Sequence, residues 1–517
     1  MRTDLQPLLS AGGMRAADHA TIEDWGVPGR VLMETASRAA VAAIEQRYAV
    51  EGARVTVLAG PGNNGGDALV VARVLAARGA VVRCLTLDPE ADRGDDRGAN
   101  LSLLHRLGDA SDRLDAVAFE GVRQVEGAPA DLVVDGLLGI GARGPLRPPF
   151  DALGAWMNRQ HAPVVALDIP SGLDATTGRA ADGTPEADLT VTFGALKTGL
   201  LLGDGPRVAG DVVVVEIGIP EAVVRAHASA WHASAAWAAE RLPRRAADAH
   251  KYSAGRALCV VGSRAYTGAA VLATRAAYRA GAGAVVACVP ASVQATLDAA
   301  APEVMVDAQP ETEGGHLAKV ARGPIRTRAE AADAVLLGCG LGRDAETARL
   351  VQAVVREIEA PLVLDADGLG AFAEAPDALA DHPPPLVLTP HLGELRRLLG
   401  DPAFDPDDRV EAARALAARW DAVLVVKGMP SVVGLPDGRV MVGPPGEPAL
   451  ATAGTGDVLA GTIAGLLAQG VPAPEAAACA LHLGAAAARL WAEAHGPSGL
   501  VASDLVDLLP RAARSLR

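Results

Sequence analysis

VTVLAGPGNNGGDALVVAR, residues Val55 to Arg73, decides how the first half of this chain folds. Its apolar, β-branched opening suits a strand, its close suits a helix, and the glycines and asparagines between them make a tight turn. Outward from it, VVRCLTLD, DLVVDGLLG, PVVALDIPSG, LTVTFG and DVVVVEIGIP alternate with helix-like segments as far as residue 218. Unbroken apolar runs suit strands buried on both faces, so the spacing predicts a parallel sheet covered by helices. After Pro220 the pattern lapses into an Ala-rich and then basic stretch, EAVVRAHASAWHASAAWAAERLPRRAADAHKYSAG, and we place a domain joint near residues 222 to 245. A second series follows: RALCVVGS, AVVACVP, AVLLGCG, PLVLDAD, PLVLTP and AVLVVKG, then a hairpin-like SVVGLPDGRVMVG. The expectation is two tandem α/β domains, residues 1–222 and 230–517. In open α/β sheets ligands sit beyond the carboxyl ends of the strands, which is where the polar, glycine-rich words of this sequence fall.

Composition narrows the function. The chain has 517 residues, more than one core usually fills, and half of them are hydrophobic, which argues against disorder. A net charge of −15 without any basic block argues against nucleic-acid binding. The five cysteines are scattered with no CxxC pair, which fits reduced thiols packed in the core of a cytoplasmic protein. The N-terminal stretch MRTDLQPLLSAGGMRAAD holds no long apolar segment, so neither a signal peptide nor a membrane span is expected.

Gly60, Gly62 and Gly65 form a GxGxxG pattern between strand and helix, and Asp88 closes the next strand. That is the dinucleotide fingerprint, which makes an NAD-dependent dehydrogenase the natural competitor. This turn, however, also packs in Asn63, Asn64 and Asp67, side-chain oxygens suited to a cation or a polar ligand. Two further strand ends, VDGLLGIGARGP and LDIPSGLDA, bring Asp135, Asp168 and Ser171. Asn64 and Asp168 could equally be turn or helix caps. Together with MRAAD and GVPGRVLME at Met14 to Glu34, these words resemble the NAD(P)H-hydrate epimerase family from residue 14 to about 220. The resemblance implies a Rossmann-like three-layer α/β/α domain with a potassium ion on Asn64, Asp135 and Ser171. Asn63, Asn64, Gly65, Gly66 and Asp67, the loop Gly139, Ile140, Gly141, Ala142, Arg143, Gly144 and Pro145, and Asp168 would contact the hydrated dinucleotide, with Asp168 catalytic. Thr35, Ser37 and Ala68 depart from the family's usual Asn, Gly and Gly.

In the second half, ATAGTGDVLAG (451 to 461) sets one carboxylate, Asp457, in a glycine turn that opens a helix. A helix N-terminus presents unpaired N–H groups and partial positive charge, so the turn is an anion cradle, and an aspartate at its mouth could take a proton from a hydroxyl attacking phosphorus. The plainer alternative is an acid favoured only by the helix dipole. With HKYSAGRALCVVGSRAYTGAA, PEVM, GCGLGRD, VLDADGLG, LTPHLGE, VVKG and VASDL, the span from His250 to the C-terminus resembles the ribokinase-like NAD(P)H-hydrate dehydratases. The resemblance implies that Lys427, Gly428, Met429, Pro430 and Ser431, with Glu447, Thr452, Ala453, Gly454, Thr455 and Gly456, line an adenine nucleotide. Ala269, Gly340, His391 and Asp457 would face the hydrated nicotinamide, His391 by contact alone and Asp457 as base. Asp365 and Asp367 fit sheet-end caps. Departures are Tyr252, Cys339 in a turn usually written GPG, and Pro430-Ser431.

What the two resemblances imply is a cytoplasmic repair enzyme that epimerises the R and S forms of hydrated NADH and NADPH (NADHX and NADPHX) and dehydrates the S form at the expense of ADP. K⁺ would serve the first site and Mg²⁺ would accompany ADP at the second, in a homo-oligomer with no membrane or nucleic-acid partner. Two other classes stay open at this point: a vitamin or sugar kinase with an accessory domain, and an N-terminal module kept only for binding or assembly.

Overall fold

A computed structural model describes residues 5–88, 95–127, 129–248, 250–383, 385–406 and 408–517. The first four residues of the N-terminal stretch therefore lie outside it. The chain divides into two compact units, one of Pro7–Ala230 and one of Trp231–Arg517 with Leu5 and Gln6.

In the first unit seven parallel strands lie in the order Leu114–Ala118, Val81–Thr86, Arg54–Ala59, Leu132–Gly136, Val164–Leu167, Leu189–Phe193 and Asp211–Val215. The central strands are buried along nearly their whole length, as their unbroken apolar runs require. Asp211–Val215 departs from that expectation: it is the edge strand, and Val213 and Val214 are exposed. The strand order reverses between Arg54–Ala59 and Leu132–Gly136. That switch point opens a crevice between the turn at Gly60 to Asn64 and the loop after Gly136. Helix Ala11–Glu23, capped by the Ser10 hydroxyl accepting from the Gly13 N–H, buries Met14, Ala17 and Thr21.

The second unit repeats the plan. Met305–Gln309, Ala284–Pro290, Arg256–Val260, Ala334–Leu337, Leu362–Leu364, Leu386–Leu388 and Val423–Val426 are parallel, and the antiparallel hairpin Val432–Gly434 and Val440–Val442 extends the sheet. Here the order reverses between Arg256–Val260 and Ala334–Leu337. Helix Thr455–Ala468 packs on helix Thr267–Arg279 at backbone contact: a Cβ on Gly461 would lie 2.2 Å from the Ala273 carbonyl oxygen, and one on Gly465 2.4 Å from that of Ala277. The small residues of VLAGTIAGLLAQG thus fix where the turn before that helix sits. All five cysteines are buried, free and in core positions, as expected. Among the described residues no helix is long and apolar enough to cross a membrane.

Candidate functional sites

The first site is a cavity of about 590 Å³ at the switch point of the N-terminal sheet. Asn63, Asn64, Asp67, Gly139, Ile140, Gly141, Ala142 and Asp168 line it, as expected. Gly65 and Gly66 do not line it; they lie inside the first helical turn, where a Cβ on Gly65 would meet the Gly60 carbonyl at 1.9 Å and one on Gly66 the Met33 side chain. Arg143, Gly144 and Pro145 continue the loop without lining the cavity. The turn is bolted in place by Arg97, a residue that sequence reasoning passed over. Its buried guanidinium donates to the Gly60 carbonyl (3.0 Å) and the Asp88 carbonyl (2.8 Å), so the backbone of Asp88 serves the turn.

Asn64 is no cap. Its Nδ2 donates to the carbonyls of Leu138 (3.1 Å) and Leu167 (3.0 Å), leaving the buried Oδ1 without a partner among the described residues. Beside it, the wholly buried Asp135 accepts from the Ser171 N–H (2.8 Å), the Ser171 hydroxyl (2.6 Å) and the Leu137 N–H (3.1 Å). Burial pushes the Asp135 carboxyl up, against the pull of those bonds. A buried carboxylate next to an unpaired amide oxygen is short of positive charge.

Asp168 is not a cap either. Its φ of +65° is uncommon for any residue but glycine, although Asp tolerates it best. That backbone turn directs one carboxylate oxygen onto the Phe193 N–H (3.1 Å) and the Lys197 ammonium (2.5 Å). Lys197 is completely buried and also donates to the Thr192 hydroxyl (3.0 Å) and the Phe193 carbonyl (2.6 Å). Sequence reasoning missed it, yet a signal was there: Lys197 is the sole charge between Asp188 and Asp204. Ser37 is buried and its hydroxyl lies 3.4 Å from Asp67, whereas Thr35 is bonded only to its own helix. Burial, then the charge of Asp168, pushes the Asp67 carboxyl well above the usual range.

The second site gathers Asp457, Asp365, Cys339 and Lys427 at the carboxyl ends of the other sheet. Gly454, at φ +88°, opens helix Thr455–Ala468, and Asp457 stands in its first turn. One ligand atom from each of Cys339, Asp365 and Asp457 falls within 4.8 Å of the others. Lys427 is not a solvated strand-end lysine: its Nζ is 2.9 Å from Asp365 and 3.7 Å from Glu394. Burial works to lower its pKa, but those two carboxylates outweigh it and hold the ammonium above its usual range. Asp365 does more than cap a strand, since it also accepts from the Thr389 hydroxyl (2.7 Å). Asp457 is pushed up to about 6 by burial and by the charge of Asp365, with the Cys339 thiol and Lys427 opposing. The Cys339 thiol itself is held well above its usual range, first by burial and then by those carboxylates.

Other expected residues are placed differently. Gly340 and Ala269 are adjacent, a Cβ on the former meeting that of the latter at 2.7 Å. His391 caps helix Leu392–Leu399, its Nδ1 accepting from the N–H groups of Gly393 (2.9 Å) and Glu394 (3.3 Å), while its Nε2 lies 3.6 Å from the Glu394 carboxylate. Ser431 closes a turn with Gly428, Met429 is exposed, and the Thr455 hydroxyl donates to the Thr452 carbonyl at 3.0 Å. Glu447 pairs with Arg489 at 2.9 Å and lines a separate cavity of about 450 Å³ with His232 and His482. Tyr252 is exposed, so that departure touches nothing in the site.

Ala366, between the two acids of LDAD, sits at φ +51°, where a side chain is strained. This turn directs Asp365 to Lys427 and Asp367 to the Gly342 N–H (2.8 Å). Ala366→Gly is expected to stabilise the second unit by about 1 kcal/mol, read as a higher denaturant midpoint. An unchanged or lower midpoint would remove the strain.

The family model for NAD(P)H-hydrate dehydratase matches residues 257–511. That for the YjeF-related protein N-terminus matches residues 29–199. The bifunctional NAD(P)H-hydrate repair enzyme Nnr of Salinibacter ruber is 46% identical over 527 residues, spanning 98% of this chain and 96% of that protein. The chain belongs to the bifunctional NAD(P)H-hydrate repair enzyme family. The Moorella thermoacetica member of this repair family is 41% identical, over 98% of this chain and 97% of its own. An ADP/ATP-dependent NAD(P)H-hydrate dehydratase from Bacillus subtilis, crystallised with ATP and Mg²⁺, is 30% identical over 55% of this chain and 98% of its own, with a TM-score of 0.46. The dehydratase model falls within the second unit, and the model for the YjeF-related N-terminus within the first.

Proposed function

We propose that the N-terminal site interconverts the R and S epimers of NADHX and NADPHX, and that the C-terminal site dehydrates the S epimer with ADP, yielding NAD(P)H, AMP and phosphate. The observation that carries this reading is the Asp457 carboxyl in the first turn of a helix, among Asp365, Cys339 and Lys427. The hydrate is a hemiaminal whose hydroxyl leaves poorly. Its phosphate ester leaves well, expelled by the ring nitrogen, and the neighbouring ring carbon then gives up a proton to complete the dihydronicotinamide. Asp457 takes the hydroxyl proton as oxygen attacks phosphorus, while the N–H groups of the Gly454 to Gly456 turn hold phosphate oxygens. The hard carboxylate oxygens beside that turn suit Mg²⁺, which on binding with the nucleotide neutralises phosphate charge.

At the first site, Asp168 and its Lys197 partner meet the hydrated ring, and Asn64, Asp135 and Ser171 hold K⁺. The unpaired Asn64 Oδ1 and the buried Asp135 charge support a cation there. All three are hard oxygen donors, the chemistry of a group-one ion and not of zinc. When bound, K⁺ supplies the missing positive charge. Epimerisation is therefore expected to need K⁺, to fall at least about tenfold in Asp135→Asn, and to ignore a zinc-selective chelator; loss with the chelator and rescue by zinc would contradict it.

The direct test is purified chain with a mixed epimer pool, with and without ADP, followed by NMR and by absorbance of the dihydronicotinamide. NAD(P)H should appear only with nucleotide. Its appearance without nucleotide, or its absence with ADP and with ATP, would overturn the reading.

A further inference from the structure

MRAAD contains one acid, Asp18, that none of the chemistry above uses. Helix Ala11–Glu23 buries Met14, Ala17 and Thr21 and turns Asp18 into the same cavity that Asp67, Asp168 and Lys197 line. The charged groups facing that cavity are Arg15, Asp18, Asp67, Asp96, Asp168 and Lys197. Two of them belong to the rim: Arg15 is exposed and reaches the Ile140 carbonyl at 3.5 Å, and Asp96 pairs with Arg30 at 3.3 Å. Inside remain three carboxyl groups and one ammonium, and that ammonium is bound to Asp168. The Asp18 carboxyl makes no hydrogen bond or ion pair among the described residues.

Resting on the epimerase reading above, we propose that Asp18 is the catalytic acid of that site, working opposite the Asp168 and Lys197 pair. Inverting a hemiaminal carbon needs a base and an acid at once, as mutarotation of a sugar does. Asp168 takes the hydroxyl proton, and the O–H electron pair becomes the second bond of a carbonyl. The carbon–nitrogen bond breaks, its electrons pass to the ring nitrogen, and that nitrogen takes the Asp18 proton. Rotation about the neighbouring carbon–carbon bond presents the other carbonyl face. The nitrogen then closes on it, returning its proton to Asp18 while Asp168 returns its own to oxygen. Every atom and electron balances without a co-reactant.

Asp18 suits the acid half because burial, with the Asp168 charge adding to it and Lys197 opposing, lifts its carboxyl to about 6. Asp67 is a poorer choice: it is more deeply buried, and its carboxyl already faces the Ser37 hydroxyl. The neutral acid is the working form, so epimerisation should weaken as pH rises through about 6.

The test measures epimerisation of a pure epimer by the full chain without ADP, from about pH 5 to about pH 8. Asp18→Asn should lower the rate by about 10²- to 10⁴-fold and abolish the decline above pH 6 in whatever activity remains. Asp18→Glu, which restores a carboxyl, should recover at least about a tenth of the rate together with that decline. A rate for Asp18→Asn within about threefold of the parent, or equal losses in both variants with the pH profile unmoved, would overturn the role. A parent chain that does not epimerise at all, while dehydrating the S form with ADP, would overturn the epimerase reading and this inference with it.

Discussion

Asp457→Asn should lower ADP-dependent formation of NADH from the S epimer by about 10²- to 10⁴-fold, with ADP affinity changed by no more than a few-fold. The substitution keeps the shape of the helix turn and its N–H groups while removing the proton acceptor, so binding and chemistry separate. The pH dependence gives an independent check. The carboxyl is lifted to about 6 by burial and Asp365, and it works as a base only when ionised, so the parent's turnover should fall as pH drops through about 6. The variant's residual turnover should lack that acid limb. Near-full turnover in the variant would sink the role, and Asp457 would then be an acid placed there by the helix dipole alone.

Asp168→Asn should change the shape of a progress curve more than its initial slope. With pure S substrate and ADP, the variant should dehydrate at close to the parent's rate, because the substitution lies in the other unit. With a mixed pool the parent should consume everything. The variant should show a fast phase equal to the S fraction, then a slow tail set by spontaneous epimerisation. Asparagine also tolerates positive φ and keeps the side-chain volume, so Lys197 is left facing an amide and not a void. Adding the Asp457→Asn chain should remove the tail, since each variant supplies the activity the other lacks. A single fast phase that consumes both epimers in Asp168→Asn would show either that dehydration is not stereoselective or that Asp168 only shapes the turn.

Much of this architecture could be read from the chain itself, because parallel strands buried on both faces must be continuously apolar. The runs from VTVLAG to LTVTFG and from RALCVVGS to AVLVVKG became strands, and SVVGLPDGRVMVG became the hairpin. DVVVVEIGIP was a strand too, but composition cannot distinguish an edge from a centre, and its exposed Val213 and Val214 show the difference. The site was legible where motifs are local, as in NNGGD and GTGD. It was not legible where partners are far apart in sequence. Asp168 follows strand Val164–Leu167 and meets Lys197 four residues beyond the neighbouring strand Leu189–Phe193, while Asp365 and Lys427 follow strands that Leu386–Leu388 separates. For the same reason Asp365 looked like a cap and Cys339 like core filling, and MRAAD had no assigned chemistry until its helix was seen to face the cavity.

Each unit holds its own set of site residues: Asn64 to Lys197 lie in the first, and Cys339 to Asp457 in the second. One round of translation therefore delivers both catalysts in equal number, and no change in expression can unbalance them. A cell that halves its supply of this chain slows both steps alike, and R epimer does not pile up for want of a separately regulated partner. Any tuning of one step against the other has to be written into side chains, one substitution at a time.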